Sequence, residues 1–135
     1  MRIEHVNLTV HDLERSIAFY RHVFGWDVRW RGEILNTTRT APAAHVGVQD
    51  GPYLALFEAE AEAEREAGEP LRSSYAAPGV NHFAVEVEAL EPILARLPAA
   101  GTRVHLEMDY EPGRRAYFYD PDGIEIEIVS YAAAA

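Results

Sequence analysis

The sequence reads through the same order of segments twice, and that repeat constrains the fold more than any other feature. Over Arg2–Val10, Val6, Leu8 and Val10 alternate with His5, Asn7 and Thr9, the pattern of a strand with one face in a core. Asp12 can then cap a helix, because its carboxylate accepts free amide protons of the first turn. Leu13, Ile17, Tyr20 and Phe24 form an apolar stripe at helical spacing, and Gly25 stands where that helix ends. Extended segments are expected at Trp26–Trp30, within Pro42–Gly51, and at Tyr53–Phe57. The second reading starts at Asn81. His82, Ala84 and Glu86 alternate with Phe83, Val85 and Val87. A helix follows with Pro92 in its first turn and Leu90, Ile93, Leu94 and Leu97 as its stripe. Pro98 ends or kinks it, with Gly101 just beyond. Strands are expected near Arg103–Leu106, at Ala116–Tyr119 and at Ile124–Val129, the last two joined by the turn Asp120–Gly123. Placing His5 on His82 brings Leu13 onto Leu90, Glu14 onto Glu91 and Ile17 onto Leu94.

Each half is strand, helix, strands, so the expected class is α+β. A chain of 135 residues is too short for two independent cores, and the halves are expected to form one domain. Between them runs Glu58–Glu69, which holds six glutamates and no apolar face, and is expected to be a solvated linker or surface helix. Formal charge is 12 − 22 = −10, which repels phosphate and argues against nucleic-acid partners. All basic residues are Arg, so Schiff-base and P-loop chemistry are excluded. There is no Cys, hence no disulfide, thiolate nucleophile or zinc–thiolate site. No signal peptide or membrane-spanning run is read, and a soluble cytoplasmic protein is expected.

Any metal must therefore be held by His, Asp or Glu. His5, Glu58, His82 and Glu127 stand at equivalent ends of the two halves, and two imidazoles with carboxylates make a nitrogen–oxygen site for a divalent ion. Bland readings accompany each. A lone strand His is usually structural; a solvated face accounts equally well for Glu127 and Glu125; alternation puts Glu58 beside Leu54 and Leu56. His11, His22, His45 and His105 have no partner in the repeat or no fixed role. Arg115, Tyr117 and Tyr119 share one strand face and could grip an anionic or aromatic substrate, or else pack and offset the acidic surface.

His5-Val-Asn-Leu-Thr-Val-His-Asp-Leu-Glu-Arg-Ser-Ile-Ala-Phe-Tyr-Arg-His-Val-Phe-Gly-Trp26 resembles the opening of the vicinal oxygen chelate superfamily, and Tyr117-Phe-Tyr-Asp-Pro-Asp-Gly-Ile-Glu-Ile-Glu-Ile128 its closing motif. That superfamily holds glyoxalase I, methylmalonyl-CoA epimerase, fosfomycin-resistance thiol transferases, extradiol dioxygenases and bleomycin-resistance proteins. The resemblance implies two βαβββ modules forming a cupped mixed sheet in one domain over 1–135. Module one would be 1–58, the acidic linker and loop 59–80, and module two 81–131. It also implies a homodimer and one metal ion per site (Zn, Ni, Mn, Fe or Co) held by His5, Glu58, His82 and Glu127. Thr9 stands where glyoxalase I has an Arg that helps hold glutathione, which argues against a glutathione thiohemiacetal substrate.

The resulting expectation is a metal-dependent lyase or isomerase acting on a small substrate chelated through adjacent oxygens. Glu127 or Glu58 would move a proton, and Arg115 and Tyr117 would bind substrate. One alternative is a metal-free, bleomycin-resistance-like binding protein whose cup is lined by Trp26, Trp30, Tyr53 and Tyr117. Another is a dioxygenase or thiol transferase that uses only His5, His82 and Glu127.

Overall fold

The computed structural model describes residues 1–36, 39–60 and 78–132. Most of the acidic run lies outside them. The fold is α+β and consists of two βαβββ modules, which fall into two compact units.

The first module holds β1 (His5–Val10), α1 (Leu13–Phe24), β2 (Asp27–Asn36), β3 (Arg39–Gly47) and β4 (Tyr53–Glu58). Its sheet runs β1-β4-β3-β2; β1 and β4 are parallel and the other neighbours antiparallel. Helix α1 starts and stops as its sequence dictates. The Asp12 carboxylate accepts from the Arg15 amide at 3.0 Å, and Gly25 adopts a left-handed φ of 72° while its amide bonds Arg21 O. Leu13, Ile17, Tyr20 and Val23 are buried on the face of α1 that packs on β2, β3 and β4. They meet the apolar side of the sheet, to which Leu8, Val10, Leu54 and Leu56 contribute. The opposite side carries His5, Asn7 and Thr9, because side chains alternate along a strand.

The second module holds β5 (His82–Glu86), α2 (Glu91–Leu94), β6 (Leu106–Tyr110), β7 (Gly113–Tyr119) and β8 (Glu125–Ser130). Its sheet has the same plan, β5-β8-β7-β6, with β5 parallel to β8. The helix is far shorter than its counterpart. Pro98 cannot donate to Leu94 O, and the chain tightens into a 3-10 turn at Pro98–Ala100 that ends on left-handed Gly101, φ 78°. Leu90, Ile93 and Leu97 are still buried. The strand expected near Arg103–Leu106 starts later, at Leu106, and pairs with β7 as a hairpin. At Asp120–Gly123 the side chain of Asp120 accepts from the amides of Asp122 and Ile124, which closes the turn and launches β8.

Candidate metal centre

The two modules present different chemistry on equivalent strand faces. In the second, β5 opens on His82 and β8 lies beside it, with Ala84 level with Glu127 and His82 level with Glu125. All three side chains His82, Glu125 and Glu127 rise from the side opposite Phe83, Ile126 and Ile128. His82 Nε2 lies 2.8 Å from Glu127 Oε2. The second Glu127 oxygen receives Arg115 Nε at 2.9 Å, and Tyr117 also hydrogen-bonds this carboxylate. Glu127 is 8% exposed, and a carboxylate so deep needs such partners. Tyr117 stands level with Glu127 on β7, its ring edge-on to His82 at 5.5 Å between centroids. Burial pushes the Tyr117 phenol up to about 12, aided by the Glu127 charge and hydrogen bond, so it stays a donor.

Arg115 is committed on all sides. Besides Glu127, its guanidinium donates to Gly113 O at 2.7 Å and lies 4.3 Å above the Tyr110 ring. Arg115 and Tyr117, expected to grip substrate, are thus directed at Glu127.

In the first module His5 projects from the start of β1, with Nδ1 hydrogen-bonded to Glu4 and its ring stacked on Tyr53 at 5.2 Å. Tyr53 meets His45 at 4.5 Å, and His45 meets Trp30 at 4.8 Å. An aromatic series thus crosses all four strands, from β1 through β4 and β3 to β2. Burial, then the nearby His5, lowers the His45 pKa below the ordinary value. The His5 hydrogen bond holds the Glu4 carboxyl below its usual range. Trp26 stands apart from this series, stacked on Phe24 at 4.6 Å.

Glu58 is placed otherwise than expected. Its carboxylate accepts the Leu13 amide at 2.9 Å, at the N-terminus of α1. The register gives the reason. Ala84, two residues after His82, is level with Glu127; Asn7, two residues after His5, is level with Ala55. The first-module counterpart of Glu127 is therefore Ala55. Glu58 is level with Val10 and rises from the apolar side, opposite His5.

The second module has a nitrogen–oxygen donor pair suited to a divalent ion. Two ligands bound at 2.0–2.2 Å and at right angles lie about 3 Å apart, close to the His82–Glu127 separation. Among the described residues no three His, Asp or Glu side chains gather as a metal-holding group. Sequence reasoning passed over Glu125 and His105, whose side chains meet at 2.9 Å beside His82. The alternation that put Glu125 on the Glu127 face was the available signal; His105, just ahead of β6, had none.

Residues 2–128 match the family model described as the Glyoxalase/Bleomycin resistance protein/Dioxygenase superfamily. Among solved structures, the chain is similar to a glyoxylase/bleomycin resistance protein/dioxygenase domain from Frankia sp. EAN1pec, with 26% identity, TM-score 0.76, and 96% of this chain and 97% of that one covered. A glyoxalase family protein from Enterococcus faecalis is 23% identical, with TM-score 0.70 and coverage of 96% and 97%. A mutant of the fosfomycin resistance protein FosX from Listeria monocytogenes, complexed with Mn(II) and 1S,2S-dihydroxypropylphosphonic acid, is 21% identical, with TM-score 0.69 and coverage of 96% and 91%. No curated protein matches the chain.

Proposed function

The chain belongs to the Glyoxalase/Bleomycin resistance protein/Dioxygenase superfamily, and from that premise we propose that it is an enzyme using one divalent metal ion to hold a small substrate through adjacent oxygens. The ligands in this reading are His82 and Glu127 of the second module, with His5 from a first module, of the same chain or of a second copy. The observation that carries it is the His82–Glu127 pair, 2.8 Å apart, with Glu127 buried and His82 partly so. Imidazole and carboxylate suit Mn, Fe, Ni, Co or Zn, and two His with one Glu leave coordination positions open. The ion would supply Lewis-acid stabilisation of an oxyanion developing on the substrate.

The protein's own residues orient that set. Arg115 and Tyr117 hold Glu127 from behind, which makes them positioning residues. Glu58 is bound to α1, and Glu127 in this reading is a metal ligand braced by Arg115, so neither is assigned the role of a free base. The reading therefore turns from a lyase or isomerase with a Glu base towards two-His-one-Glu chemistry, an oxygenase or a group transferase. Elemental analysis of protein purified without chelator, followed by calorimetry, tests it. Roughly one ion per His82–Glu127 pair is expected, lost in His82→Ala and His5→Ala. No uptake of Mn, Fe, Ni, Co or Zn by the unmodified chain would overturn it.

The aromatic series of the first module favours a second reading, a metal-free binder of apolar or aromatic molecules. That reading expects ligand quenching of Trp fluorescence, with Trp30 in the series, that chelator leaves unchanged.

A further inference from the structure

The two ring nitrogens of His82 lie in unlike surroundings. Nε2 is bonded to Glu127 at 2.8 Å, whereas Nδ1 is buried and has no hydrogen-bond partner. One acceptor stands close to Nδ1, Glu125 Oε1 at 3.6 Å. That is too far for a hydrogen bond, but a shift of about half an ångström would make one. Glu125 is not adrift. Its other oxygen bonds His105 Nε2 at 2.9 Å, and the His105 ring is stacked on Tyr119 at 4.3 Å, with planes 12° apart. The carboxylate is therefore braced from the side away from His82.

A neutral imidazole carries one ring proton, and its position decides which nitrogen can bind a metal. In the arrangement above, the bond to Glu127 places the proton on Nε2. A metal on Nε2 needs the other tautomer, with the proton on Nδ1. An Nδ1–H buried without an acceptor loses its bonds to water and gains none, so that tautomer needs a partner.

We propose that Glu125, braced by His105, is the positioning residue that accepts the Nδ1 proton of His82 and so frees Nε2 to bind a divalent ion. This rests on the metal-dependent reading above. It assigns a role in metal affinity to two residues that do not touch the ion. Balance is simple: the proton leaves Nε2 and one is held at Nδ1, with solvent as the carrier and no change in ring charge.

Zinc is a suitable probe, because it is diamagnetic and takes imidazole and carboxylate ligands. Calorimetry would compare the unmodified protein with Glu125→Ala, Glu125→Gln and His105→Ala, each checked for folding by its thermal transition. Losing an outer partner of a ligating His costs roughly 10–100-fold in metal affinity, which is the loss expected for Glu125→Ala. Glu125→Gln keeps an acceptor oxygen and should lose less, and His105→Ala should also lose less. Equal zinc affinity in the unmodified protein and folded Glu125→Ala overturns the proposal and leaves the metal reading standing. No zinc uptake by the unmodified protein overturns both. Complete loss of binding in both Glu125 variants, with His105→Ala unchanged, makes Glu125 a ligand and overturns the positioning role. Long-range proton–nitrogen NMR of the unmodified protein supplies a readout independent of any variant. It should show the His82 ring proton on Nε2 without zinc and on Nδ1 with it; zinc bound through Nδ1 overturns the proposal.

Discussion

Glu58 and Ala55 are three residues apart, and the difference between them is one of face. Parallel pairing with β1 puts Ala55 on the His5 side and turns Glu58 to the helix. Replacing Glu58 with Ala should remove about 1 kcal/mol of stability, as loss of a helix N-cap does, and leave metal stoichiometry unchanged. Denaturant titration beside calorimetry reads both. The polar-face positions of His5, His82 and Glu127 were legible because strand alternation is a local rule. For Glu58 two signals disagreed: matching the ends of the halves put it with the ligands, while alternation put it beside Leu54 and Leu56, and the pairing of β4 with β1 follows the alternation. His45 offers a second test. Its folded pKa is lowered, so the unfolded chain binds more protons as pH falls below the unfolded value near 6.5. His45 therefore favours folding above that pH and less so below it. His45→Phe keeps a ring between Trp30 and Tyr53. Its thermal midpoint should drop less than that of the unmodified protein between pH 7.5 and pH 5.

At the scale of elements, the two helices show how far local signals reach. Helix α1 has a cap, a stripe and a terminating glycine, and it was legible save at its last turn, where Val23 rather than Phe24 is buried. Gly25 has a left-handed φ and a Cβ there would meet nothing within 4 Å, so Gly25→Ala should cost about 1 kcal/mol through backbone conformation alone. Gly113 is the opposite case: a Cβ would collide with Ser130 O, a backbone atom on the neighbouring strand that cannot swing away. Gly113→Ala should lose several times more stability than Gly25→Ala, as paired thermal melts would show. Helix α2 was legible at its start, but its bonds tighten to i−3 spacing from Arg96, ahead of the 3-10 turn at Pro98, and the following strand begins only at Leu106. The alternation of Leu106, Met108 and Tyr110 with Glu107 and Asp109 was present, yet at the edge of the four-stranded sheet both kinds stay exposed. Burial could not sharpen the pattern there.

At the scale of the molecule, a metal held by the folded state alone raises stability by mass action. With zinc at a hundred times its dissociation constant the gain is about 2.7 kcal/mol, visible as a higher thermal midpoint that His82→Ala abolishes. An unchanged midpoint at saturating zinc would mean that the ion also binds the unfolded chain, or does not bind at all. The proposed ligand set draws on both modules, so its stabilising effect should be lost in His5→Ala as well as in His82→Ala. The likeness between the modules makes one chemical difference stand out. Ala55 holds the place in the first module that Glu127 holds in the second. That position is buried, and Asn7 binds its carbonyl at 2.8 Å, so the strand is pinned in place there. In the proposed reading, the identity of that one residue separates a three-ligand site from a four-ligand one.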